Sequence, residues 1–244
     1  MRWIASVEQA PGPGPCAWLV RLDDEAAQRA AATPSDEDLA HAATAQAADG
    51  GAARLWRRRL LRALAARWLD VHPAEIAFPR SEPRRAQLLA PAPLFVSAAS
   101  RGAWTVVAAG PAALGVDVEL AGAEIAALGG SSPEPLRRWT AAEAYMKATG
   151  CSLDLAWDVC ARDGLRQERP RSRRWRRLPR SAVEHLRPGS SAAQRGRWIP
   201  PEAEDEGGVQ RLQAPGYPAC TISWRAIGES ALAAAASEEL RASG

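Results

Sequence analysis

Residues 114–120, Leu114-Gly115-Val116-Asp117-Val118-Glu119-Leu120, alternate apolar and acidic side chains and so read as a β-strand. A period of two sets Val116 and Val118 on one face and Asp117 and Glu119 on the other. The valine face requires a core. The acidic face carries two carboxylates a strand pitch apart with no cation between them, and they repel unless something positive stands above. A hard divalent cation bound through oxygen meets that need, and Mg²⁺ typically uses one or two carboxylates plus substrate phosphates. A half-exposed edge strand with solvated acids has the same pattern, so the strand alone leaves both readings open.

The stretch that follows, 136–149, reads as a helix. Trp139, Glu143 and Lys147 recur there every four residues and share one face. Lys147 is the only lysine among 31 basic residues. Arginine is a planar fork with five donors, whereas lysine is a compact point charge that acts at a single oxygen. A chain that writes every other cation as arginine has kept an ammonium at this one place. The bland alternative is a solvated i,i+4 pair, worth ~0.3–0.5 kcal/mol.

Taken together, a Gly-Val-Asp-Val-Glu strand and a Trp-x-x-x-Glu-x-x-x-Lys helix some twenty residues later resemble the 4′-phosphopantetheinyl transferases of the surfactin-synthetase-activating type. The resemblance extends over roughly residues 50–160 and 209–226. Residues 53–78 resemble the family's long N-terminal helix and the strand after it. Residues 93–104 stand where the family has Phe-Asn-x-Ser-His-Ser, and Ala214-Pro215-Gly216-Tyr217 resembles its last turn. Three family positions are replaced: the histidine that contacts the coenzyme A phosphates falls at Ala99, the asparagine at Val96, and the lysine before the helix glutamate at Ala142.

The resemblance implies an α+β fold of two similar halves, each a small antiparallel-type sheet packed on a long helix. The halves would be 1–110, on the coenzyme A nucleotide side, and 111–244, with the metal site and the catalytic helix. The implied reaction transfers the phosphopantetheine arm of coenzyme A to a serine of an acidic acyl or peptidyl carrier protein, leaving 3′,5′-ADP. Asp117, Glu119 and Glu143 would hold Mg²⁺. Glu143 would also serve as base, and Lys147 would meet charge on the pyrophosphate. Arg54, Arg85, Ser100 and Trp139 are the expected contacts to coenzyme A. The lost contacts leave a second reading open, a degenerate member that binds a carrier without modifying it.

The remaining sequence bounds the other possibilities. Further strands are expected at 17–22, 104–108 and 221–224, and a helix at 54–69. Residues 23–53 read as one or two solvent-facing helices ending in a flexible Ala48-Asp49-Gly50-Gly51. Residues 162–208 read as an insertion, with eight arginines between 166 and 180 around Trp175. Such a stretch reads first as a mobile, solvated loop, and the resemblance adds steering of an acidic carrier as its use. Nucleic acid is the less favoured partner, because the whole chain carries only +3. Cys16, Cys151, Cys160 and Cys220 form no paired motif, and His41, His72 and His185 show no ligand spacing. With no signal peptide or apolar span in view, a cytoplasmic monomer is expected.

Overall fold

The computed structural model describes residues 1–12, 14–45, 50–79, 92–120, 134–162, 206–213, 216–227 and 231–238. Strands β1 (Arg2–Ile4), β2 (Cys16–Arg21), β3 (Phe95–Arg101) and β4 (Trp104–Gly110) form one sheet in the order β1-β2-β4-β3. Strands β5 (Leu114–Leu120), β6 (Glu206–Leu212), β7 (Cys220–Ala226) and β8 (Ala231–Glu238) form the other, in the order β5-β8-β7-β6. The helices are α1 (Glu25–Ala30), α2 (Asp36–Ala43), α3 (Gly50–Leu69), α4 (Glu134–Thr149) and α5 (Leu153–Arg162). The fold is α+β. Among the described residues no helix is long and apolar enough to cross a membrane.

Strand alternation sorts the apolar side chains into three cores. Trp18, Val20, Val96 and Val107 pack with Leu60, Leu61 and Leu64 of α3. The opposite faces, Ala17, Leu19, Val106 and Ala108, meet Leu114, Val116, Val118, Ala233 and Ala235 of the second sheet. Ala234, Ala236, Ile222 and Trp224 turn outward against Ala141, Ala144, Tyr145 and Ala148 of α4, with Ala156 and Val159 of α5 behind them. The layers therefore run α3, first sheet, second sheet, α4 with α5. Val116 and Val118 face the central core, and Asp117 and Glu119 are left on the α4 side.

Two antiparallel pairings and one parallel pairing make up the first sheet. β1 lies parallel to β2, so this sheet is mixed where an antiparallel one was expected. β3 and β4 form a hairpin in register Arg101↔Trp104, closed by Gly102 and Ala103. Gly102 has φ +56°, the first central position of a two-residue turn that favours glycine. A hydrogen bond ties the sheets beside the acidic strand: the Val116 amide donates to Ser97 Oγ at 3.1 Å.

Several sequence expectations need correction. Residues 73–75 form a 3-10 turn, and among the described residues only a single β-bridge at Ala77 stands where a strand was expected, with Ile76 and Phe78 buried against α3. Gly50 and Gly51 are the first residues of α3, not a flexible end, while 46–49 lie outside the described residues. Glycine suits this entry because a Cβ on Gly51 would stand 3.2 Å from the Ala42 carbonyl oxygen. Nor is the 23–53 segment wholly solvent-facing. Asp38 is fully buried, reciprocally capping α2 with Ser35 and pairing with Arg62 of α3. β6 begins at Glu206, inside the expected insertion, and the arginine-rich stretch 166–180 and His185 lie outside the described residues.

Candidate functional site

The site begins with a glycine. A Cβ at Gly115 would collide with the Ala144 carbonyl oxygen and stand 2.6 Å from both the Ala148 nitrogen and Lys147 Cβ. Only a residue without a side chain lets the α4 backbone lie directly on β5. That close approach carries the Glu143–Lys147 face of α4 over the acidic face of the strand. Lys147 Nζ donates to Asp117 Oδ1 at 2.8 Å and to the Val116 carbonyl at 3.1 Å, and stands 3.4 Å from Glu143 Oε2. The expected i,i+4 pair is therefore half of a larger cluster, and Lys147 is largely enclosed rather than solvated.

Glu119, two residues along the same face, is met from two directions. Arg101, the last residue of β3, stands with Nε 3.2 Å from Glu119 Oε2. The Trp139 indole donates to the Glu119 carboxylate. Trp139 is itself held edge-on to Trp157 of α5, with ring centres 6.3 Å apart. The positive charge that the acidic strand requires is thus in part the protein's own, with Lys147 over Asp117 and Arg101 over Glu119.

Neutralisation is incomplete. Asp117 Oδ2 is buried without a hydrogen bond, and Glu119 Oε2 has the Arg101 contact but no hydrogen bond. Three carboxylates, Asp117, Glu119 and Glu143, face two cations. Burial, reinforced by Glu143 and Glu119, pushes the Asp117 carboxyl up to about 7 against the pull of Lys147. Burial and the Glu143 charge also raise Glu119, opposed by Arg101 and Trp139. Lys147 moves up as well: burial works against its ammonium, but Asp117 and Glu143 outweigh that cost. An added cation would relieve this surplus of negative charge.

These shifts fix the sign of a pH effect. An unfolded aspartate titrates near ~3.9, while folded Asp117 titrates at about 7. Between those values folded Asp117 holds more proton than it does unfolded, so its contribution to stability falls as pH rises from about 4 to about 7. Thermal unfolding without divalent ions should show that decline, on the order of a few kcal/mol at most, and Asp117→Asn should flatten it. An unchanged slope in the variant would remove Asp117 as its source.

The fold brings together Asp117, Glu119, Trp139, Glu143 and Lys147. Among the described residues, however, no three His, Cys, Asp or Glu side chains stand together as a metal-holding group. Asp117 Oδ2, buried without a hydrogen bond, and Glu119 Oε2, buried with the Arg101 ion pair, are the oxygens that fit a cation. Ser100 lies next to Arg101 on β3, with Oγ and Thr105 Oγ1 2.8 Å apart. Arg54 is elsewhere: it belongs to α3, beyond the first sheet, and donates to Thr44 Oγ1 at 2.8 Å. Arg85 lies outside the described residues. Sequence reasoning missed Arg101, Ser97 and the contact role of Gly115. The Gly115 signal was present as a glycine inside an apolar strand, which marks close approach of another backbone.

No protein-family model matches the chain, and no curated protein matches its sequence.

Proposed function

We propose that the chain transfers the 4′-phosphopantetheine arm of coenzyme A to a serine of an acyl or peptidyl carrier protein, and that it has the pseudo-duplicated fold of that transferase family. The observation that carries the reading is the buried Asp117 Oδ2, which has no hydrogen bond, beside a Glu119 carboxylate that Arg101 meets, both facing a helix that supplies one more acid and the only lysine. One long helix on the outer face of each sheet agrees with two related halves. Asp117 and Glu119 would hold Mg²⁺. When bound, the ion supplies positive charge for the pyrophosphate oxygens.

The remaining chemistry belongs to side chains. The nucleophile is a neutral hydroxyl and the electrophile a phosphorus among negative oxygens, so a base and charge neutralisation are both needed. Glu143, about a quarter exposed at the edge of the cluster, takes the serine proton as the hydroxyl oxygen bonds to phosphorus. The phosphorus–oxygen bond to the nucleotide breaks, and 3′,5′-ADP leaves. Trp139 orients Glu119 through its indole donor. Arg101, partly exposed beside Ser100, adds positive charge on the first-sheet side.

The test is incubation with coenzyme A, Mg²⁺ and a panel of apo carrier proteins, read by intact mass. The expected result is gain of one phosphopantetheine arm on at least one carrier. Glu143→Gln should lower the rate by about 10²–10⁴-fold, the usual worth of a positioned general base. No modification of any carrier, combined with measurable carrier binding by calorimetry, would favour the second reading of a carrier-binding protein without transferase activity. Replacement of the family's histidine position by buried Ala99 is the observation on that side.

A further inference from the structure

Lys147 is bound where a phosphate contact has no use for it. Its ammonium has three N–H groups, and three protein oxygens surround it: Asp117 Oδ1, the Val116 carbonyl and Glu143 Oε2. Its stem lies against Gly115, whose missing side chain makes the room. The carboxylates it engages belong to the cluster that has a surplus of negative charge. Two oxygens of that cluster, Asp117 Oδ2 and Glu119 Oε2, remain buried without hydrogen bonds, and Asp117 is only 3% exposed.

We infer that Lys147 is an internal counter-ion that competes with a divalent cation for the Asp117 and Glu143 carboxylates, and that entry of the cation releases its ammonium from the strand. The inference rests on the cation reading of Asp117 and Glu119. Both cations are hard and select oxygen, and a small divalent ion demands near-ideal geometry at short metal–oxygen distances. The Glu143 carboxylate is engaged by Lys147 at 3.4 Å, on the same ammonium that holds Asp117. Two cations on one buried carboxylate also repel far more strongly than in water. Lys147 then has two positions, one against Asp117 and the Val116 carbonyl and one released from the strand, where an anionic substrate can meet it. An ion that must first displace Lys147 binds more weakly than the acid cluster alone would bind it.

The sequence offers an unusually clean probe, since Lys147 is the only lysine and its side-chain amine is the only one in the chain. The full chain is treated with an amine-acylating reagent with and without saturating Mg²⁺, and the rate at Lys147 is read by peptide mass, separately from the N-terminus. Mg²⁺ binding is measured by calorimetry on the parent and on Lys147→Met. Mg²⁺ should accelerate acylation by about tenfold, and the neutral variant should bind Mg²⁺ about tenfold more tightly, within the usual range of coupling between two sites. Lys147→Gln is carried alongside, with circular dichroism to establish folding, in case the methionine variant does not fold.

The outcomes separate. Mg²⁺ binding to the parent with no rise in Lys147 acylation, or with no tightening in the neutral variants, would mean that ion and ammonium coexist; the competition is then overturned and the cation site stands. Binding to the neutral variants but not to the parent would support the inference in its strongest form. Binding to neither would overturn the cation site, and the inference with it.

Discussion

Gly115→Ala should separate the two halves of the site and lower stability at the same time. The added methyl group would meet the Ala144 carbonyl and the Ala148 nitrogen, which are helix backbone and cannot rotate aside. Relief requires α4 to lift from β5. Overpacking of this kind costs ~1–3 kcal/mol and sometimes more, or several degrees in Tm for a chain of this size at roughly 2–4 °C per kcal/mol. The functional loss should be larger, because Glu143 and Lys147 move with the helix while Asp117 and Glu119 stay on the strand. A displacement of about 1 Å can cost ~10²-fold in rate. Thermal unfolding and carrier modification by the same variant check both effects. Parent-like values for both would show that the helix has slack at this contact.

Asp38→Ala should give a large loss of stability, with no direct effect on the site chemistry. Arg62 grips Asp38 through Nε and Nη2, at 3.0 and 2.9 Å, and also donates to Ser35 Oγ and to the Pro73 and Ile76 carbonyls. Its guanidinium lies over the Phe78 ring, 5.2 Å from the centre. Removing the carboxylate leaves a buried cation without its counter-charge, which typically costs 3–5 kcal/mol (an order-of-magnitude range). Burial opposes the charge on Asp38, but Arg62 and Ser35 outweigh it and hold the carboxyl below the ordinary range. Its contribution is therefore present above the unfolded carboxylate value and disappears as pH falls through the folded one, opposite in sign to Asp117. Urea unfolding of Asp38→Ala at neutral pH measures the loss. A change under about 1 kcal/mol would place the clamp among pairs that a hydrophobic substitute could replace.

The two predictions touch what was most and least legible in the chain. The alternation at 114–120 identified a strand and its two faces, and both faces are as read: valines to the central core, acids together on the side that α4 covers. The four-residue recurrence of Trp139, Glu143 and Lys147 identified a helix and the face that matters. Both are local periodicities, and a repeat of 2 or 3.6 residues encodes which side chains share a side. It does not encode what lies opposite.

The partners opposite were set by tertiary approach. Asp38 sits in an acidic, alanine-rich stretch that reads as solvated, and only Arg62, 24 residues later, makes its burial tolerable. β8 is the sharpest case. Ala231–Glu238 is mostly alanine, the best helix former and a poor strand former. It nonetheless lies between β5 and β7, with Ala233 and Ala235 against the first sheet and Ala234 and Ala236 against the α4 side. Paired on both edges and covered on both faces, that strand needs small side chains more than it needs strand propensity.

Lys147 follows the same division. By itself the sequence determined that one ammonium would stand a helical turn from Glu143, on the face shared with Trp139. That it reaches the Asp117 carboxylate and the Val116 carbonyl was decided by Gly115, across more than thirty residues of chain, because only there does the helix backbone come close enough to the strand for a lysine to touch both.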